Sequence, residues 1–184
     1  MDDQQESLKE MPNIESMVRD LLEKNGVKSA PVPVERIADS LGARLVYEPS
    51  REGEEEVYGM LYRDEGQPVI GVNSTNHIHR QRFTIAHEIG HLLCHEGKMY
   101  VDSPIIRYRD SKSALAIDKE EIEANGFAAE LLMPKDFVEK SLQVIGKKKI
   151  LDWKKIVGRI SKEYKVSAQM VEFRLKNLGI SFPE

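Results

Sequence analysis

The chain has 184 residues, a formal charge of −4, 40% hydrophobic and 32% charged residues, and one cysteine, Cys94. Its length and apolar share suit one ordinary globular domain, and its apolar runs are too short for a membrane-spanning helix. A single cysteine excludes an internal disulfide, and the acidic start MDDQQESLKE is unlike a secretory or transit signal, so a cytoplasmic protein is expected.

Residues 13–25 place Ile14, Met17, Val18, Leu21 and Leu22 at helical spacing, with Asn25-Gly26 as the stop. Pro31 and Pro33 precede a short helix in VERIADSLGA. Three strand-like runs follow, 43–47, 57–63 and 68–73, separated by SREGEEE and a DEGQ turn, which predicts a small antiparallel meander. The Glu54–Glu56 run reads as a solvated loop rather than a metal site. Residues 73–76 offer N-caps for a helix over 76–96, whose centre FTIAHEIGHLLC is apolar on nearly every side and is predicted to be buried. Residues 97–117 read as a long irregular surface loop. A helix over 118–133 ends at Pro134, and helical patterns resume at 135–145, 151–164 and 168–178. This order predicts an α+β fold, a small antiparallel sheet packed on a central helix and followed by an all-helical part.

All five histidines fall between positions 77 and 95, and His87-Glu88-Ile89-Gly90-His91 is an H-E-x-x-H motif on the central helix. Residues four apart are offset by only about 40° on a helix, so both imidazoles face one side and can grip one ion. Glu88 is too close to His87 to share its coordination sphere easily, and is placed to accept a proton from an attacking water. Gly90 allows a second element to approach closely. A structural metal or a pair of core histidines is the competing reading, but two unpaired histidines and a glutamate in a buried helix would be costly.

A catalytic zinc takes three protein ligands and keeps one open position. Position 97, where metzincins place a third histidine, is Gly97, which excludes that class. His95 lies about 12 Å along the axis from His87, too far to share one metal with both ligands, and fits better as a cleft wall or a support for a ligand. In KEEIEANGFAAELLMP, Glu120, Glu121 and Glu123 are all candidates. Glu121 falls on a small-to-apolar face with Ile117, Ala124, Asn125, Ala128 and Leu132. Glu123 falls with Glu130 on the other side, and Glu120 sits at the edge. Glu121 is thus favoured, and Asn125, one turn on, could hydrogen-bond a ligand.

RQRFTIAHEIGHLLCH followed by EIEANGFAAELLMP resembles the ImmA/IrrE family of zinc metallo-endopeptidases, over roughly residues 30–135. The resemblance implies a zincin-like fold, one Zn²⁺ per chain held by His87, His91 and Glu121, and Glu88 as catalytic residue. It also implies a protein substrate, a helix-turn-helix transcriptional repressor, whose cleavage releases repressed genes. Candidates for a second oxyanion donor are Tyr58, Tyr62, Arg82, His95, Tyr100 and Tyr108. PVIGVN is expected to be the edge strand that pairs with an extended substrate. His77 and His79 are expected at the surface, and Cys94 as a small buried hydrophobe.

The division drawn from these patterns is a metallopeptidase domain over 1–134 and a basic helical part over 135–184. The latter holds 12 Lys/Arg against 6 Asp/Glu, whereas the first 134 residues hold 15 against 25. Residues 151–178 resemble a helix-turn-helix whose second helix, capped by Ser167, carries Arg174 and Lys176. DNA contact through this end is the weaker expectation, behind docking of an acidic partner or a scaffold role. A DNA- or repressor-binding regulator in which proteolysis is secondary or lost is the alternative function.

Overall fold

A computed structural model describes residues 13–49, 57–63, 66–103, 111–147 and 152–180, the side chains of 111–118 and 147 excepted. The Glu54–Glu56 run and Tyr108 lie outside the described residues. The described elements run α1 (Ile14–Lys24), α2 (Val34–Ser40), β1 (Arg44–Glu48), β2 (Gly59–Tyr62), β3 (Val69–Asn73), α3 (Ile78–Cys94), β4 (Met99–Asp102), α4 (Ser111–Leu132), α5 (Lys135–Lys147), α6 (Trp153–Tyr164) and α7 (Ala168–Asn177). The fold is α+β. Among the described residues, no helix is long and apolar enough to cross a membrane.

Three sequence expectations change. The sheet is mixed, in the order β1-β3-β2-β4. β2 pairs antiparallel with β3 and with β4, but β1 runs parallel to β3, from Arg44 opposite Val69 to Glu48 opposite Asn73. A meander assumes that each strand pairs with the next in sequence. Here β4 takes the free side of β2, and β1 docks on β3 instead. Consequently β3, expected as an edge strand, is hydrogen-bonded on both sides, and the edge beside α3 is β4. The expected loop over 97–117 contains β4 and the start of α4. β4 escapes detection because its alternation is inverted: Met99 and Val101 are exposed, while Tyr100 and Asp102 are partly covered.

α3 lies at the centre. Leu61, Ile70 and Val72 of the sheet, Ile85 and Ile89 of α3, and Phe127, Ala128, Leu131 and Leu132 of α4 belong to one buried cluster. Two glycines set the spacing around α3. A Cβ on Gly90 would meet Ala124 Cα at 3.1 Å and Phe127 Cβ at 3.2 Å, so α3 and α4 touch nearly backbone to backbone. A Cβ on Gly59 would meet Thr84 Cγ2 at 2.1 Å and Glu88 Oε1 at 3.3 Å, so β2 also approaches α3 at its closest point through a glycine. The N-cap of α3 is His77, whose Nδ1 accepts from the His79 N–H, rather than a residue of 73–76. Asn73 instead closes the turn after β3, its Oδ1 accepting from the Thr75 N–H and hydroxyl.

The C-terminal helices share the same core, to which Ile160, Tyr164, Val166, Val171 and Leu175 contribute. Lys165 in the left-handed conformation and the Ser167 cap make the tight turn between α6 and α7. Arg174, which the weaker DNA-contact reading would turn outward, is buried: it pairs with Glu130 of α4 and donates through Nε to the Met133 carbonyl at 3.0 Å. Its charge is used internally, and Lys176 of that pair alone is exposed.

Candidate metal centre

The helical spacing places His87 and His91 one turn apart on the face of α3 turned to α4, with their Nε2 atoms 3.1 Å apart. Glu121 of α4 meets both, through Oε2 to His87 Nε2 at 3.2 Å and Oε1 to His91 Nε2 at 3.3 Å. The ligand atoms of these three residues all lie within 4.8 Å of one another, and the group could hold a metal ion. Both histidines are buried and Glu121 is partly so. Burial alone would raise the Glu121 carboxyl, but hydrogen bonds from His87 and His91 outweigh it and bring its pKa down to about 2. The His91 pKa is lowered as well, chiefly by burial, which favours the neutral imidazole that a metal requires.

Glu88 is fully buried, and neither carboxylate oxygen has a hydrogen-bond partner among the described residues. Burial, and then the charges of Asp102 and Glu121, push its pKa well above the ordinary carboxylate value. An orphaned carboxylate in the interior is costly, and its position beside three converging donor groups fits a site built for a cation and a reacting water. Asp102, at the end of β4, is itself raised, first by burial, while its ion pair with Arg80 at 3.1 Å acts against the shift. Arg80 lies over the Tyr58 ring at 3.9 Å.

Glu120 and Glu123 do not join the cluster. Glu123 reaches His95 instead, Oε2 to Nε2 at 3.1 Å, and His95 Nδ1 lies 3.0 Å from His91 Nδ1. This corrects the placement of Glu123 on the far face: Glu121 and Glu123 flank the buried Ala124 at about 60° and 100° to either side, so both long side chains reach past it to α3. Asn125 is exposed, which removes the support role foreseen for it. Of the oxyanion candidates, Arg82 is buried away from the cluster, donating to the Val32 carbonyl at 2.8 Å and the Lys165 carbonyl at 3.3 Å, and Tyr62 is exposed. Tyr100 stacks on the His91 ring with centroids 4.1 Å apart. His77 is exposed and His79 partly so, while Cys94 is half-buried.

Sequence reasoning missed Arg63 as well as Asp102. Arg63, just beyond β2, donates to the carbonyls of His91 at 2.6 Å, His95 at 2.8 Å and Gly97. Its cation thus caps the C-terminal end of α3, where unsatisfied carbonyls and the helix dipole favour positive charge. No local pattern announces either residue, since each reaches from the sheet to α3 or its C-terminal end, a contact distant in sequence.

The family model Peptidase_M78, described as an IrrE N-terminal-like domain, matches residues 38–176. A relative from Bacillus phage phi105, "Uncharacterized immunity region protein 2", is 33% identical over 79 residues, which is 43% of this chain and 46% of that protein. The fold is similar to that of a Mycobacterium tuberculosis transcriptional regulator, with a TM-score of 0.55 and 15% identity, over 90% of this chain and 47% of that one. The chain thus spans just under half the length of each.

Proposed function

The chain belongs to the Peptidase_M78 family, and from that premise we propose that it is a zinc-dependent endopeptidase that cuts a helix-turn-helix transcriptional repressor as a derepression switch. The observation that carries this reading is the convergence of His87, His91 and Glu121 beside the orphaned carboxylate of Glu88. Two imidazoles and one carboxylate are a donor set that zinc takes in catalytic sites, with a fourth position open. Held by these three residues, zinc supplies the Lewis acidity that activates water and polarises the scissile carbonyl.

Glu88 accepts the proton released as water attacks, and returns it to the leaving amine. Its desolvated surroundings, with the charges of Asp102 and Glu121 beside it, make it a stronger base than a solvated carboxylate. Among the described residues β4 has an unpaired edge, which supports an extended peptide as substrate, since an added strand gains main-chain hydrogen bonds along such an edge. A relative named for a phage immunity region supports a regulatory protein as that substrate.

Metal analysis and cleavage assays test the reading together. About one zinc per chain is expected, lost in His91→Ala and Glu121→Ala. Glu88→Gln should keep the zinc and stop cleavage of the repressor encoded nearest to this protein. Undiminished cleavage by that variant overturns the role of Glu88, and a wild type without zinc leaves the regulator reading in its place.

A further inference from the structure

The two histidines of the motif are held unequally. His87 Nδ1 is buried and has no hydrogen-bond partner among the described residues. His91 is held on every side: Tyr100 stacks on its ring, Arg63 takes its carbonyl, and His95 meets its Nδ1. We propose that His95 and Glu123 form a positioning pair that fixes the His91 ring from behind, so that α4 grips the metal centre twice, through Glu121 in front and Glu123 at the rear. This inference rests on the zinc reading above.

Hydrogen-bond chemistry allows one proton arrangement along the chain. Two imidazole nitrogens 3.0 Å apart must be one donor and one acceptor. With its Nε2 given to a cation, His91 carries its remaining proton on Nδ1 and donates it to a bare Nδ1 of His95. The His95 proton is then on Nε2, where it is donated to Glu123 Oε2 at 3.1 Å. An ionised carboxylate only accepts, so Glu123 selects the His95 tautomer whose other nitrogen can receive from His91. Lys119, four residues before Glu123, approaches its other oxygen at 3.9 Å. Both His95 nitrogens are thereby engaged, which makes it a support for a ligand rather than a ligand. Supports of this kind fix ring orientation and raise ligand basicity, and their loss typically costs about 10–100-fold in metal affinity.

The test is zinc affinity, measured by competition with a chromophoric chelator, for the wild type, His95→Phe, His95→Gln, Glu123→Gln and Glu123→Ala. His95→Phe keeps a ring but removes the acceptor, and should weaken zinc binding about 10–100-fold. His95→Gln restores a carbonyl acceptor and should recover part of that loss. Glu123→Ala should weaken binding more than Glu123→Gln, whose amide oxygen still accepts. Nitrogen-15 spectra of the zinc-loaded wild type add a readout independent of any variant's folding, with His91 protonated at Nδ1 and His95 at Nε2. Unchanged affinity in His95→Phe, with only the metal-free protein destabilised, overturns the proposal, as does a His95 protonated at Nδ1. A wild type that binds no zinc fails at the earlier reading, and the pair falls with it.

Discussion

Cys94 shows how sharply a single position next to the centre is tuned. It is half-buried between His91 and His95, and burial, assisted by the Glu123 charge, pushes its thiol up to about 11. At pH 7 roughly one molecule in ten thousand then carries the reactive thiolate, far less than for an ordinary cysteine. Alkylation by iodoacetamide should be slow at neutral pH and rise about tenfold per pH unit through the range below 11. A rate that levels off near pH 9 contradicts this environment. At the same scale, His87, Glu88 and His91 were legible in the sequence because their spacing is a property of one helix. Glu121 needed a second helix face and was legible as the favoured of three carboxylates. Arg63 and Asp102 were not legible, because each acts from the sheet on α3, across a contact that no local pattern displays.

Among the elements, the sheet departs furthest from its sequence pattern. Alternation announces that a strand exists, but neither its neighbours nor its direction, so β1 beside β3 and β4 at the edge required the fold itself. The contact of β2 with α3 has a testable consequence. Gly59→Ala would drive a methyl into the buried Thr84 and toward Glu88, and overpacking of this kind costs about 1–3 kcal/mol. Gly71→Ala meets the Met60 side chain at 2.8 Å, a flexible neighbour on a partly exposed face, and should cost less. Urea denaturation of the two variants checks the order. Equal losses would mean that α3 yields to β2 more readily than its burial implies.

Over the whole molecule, one cation of the basic tail is withdrawn from its surface. Arg174 turns inward to Glu130, whose other oxygen accepts from the Lys135 N–H at the start of α5. One buried carboxylate therefore joins α4, α5 and α7. Removing a partner from a buried ion pair leaves an uncompensated charge and costs about 3–5 kcal/mol. Arg174→Ala should lower the unfolding free energy by that amount in urea. It should leave unchanged any affinity for duplex DNA, measured over a salt series. A steep loss of DNA binding without a stability change would put Arg174 in the DNA-contacting role that the sequence offered as its weaker reading. That role was a natural reading, since an arginine on a basic helix looks solvated until its partner, 44 residues earlier, is seen.

The contact at Gly90 bears on how finely the centre is made. Side chains hop between rotamers and yield under load, whereas two backbones in van der Waals contact do not. Because Gly90 lets Ala124 come that close, the distance from the histidines to the carboxylate on the opposite helix is gauged by hard atomic radii rather than by a compressible spacer. The ligand from the second helix arrives with the tolerance of main-chain placement, and a residue with no side chain serves as the ruler.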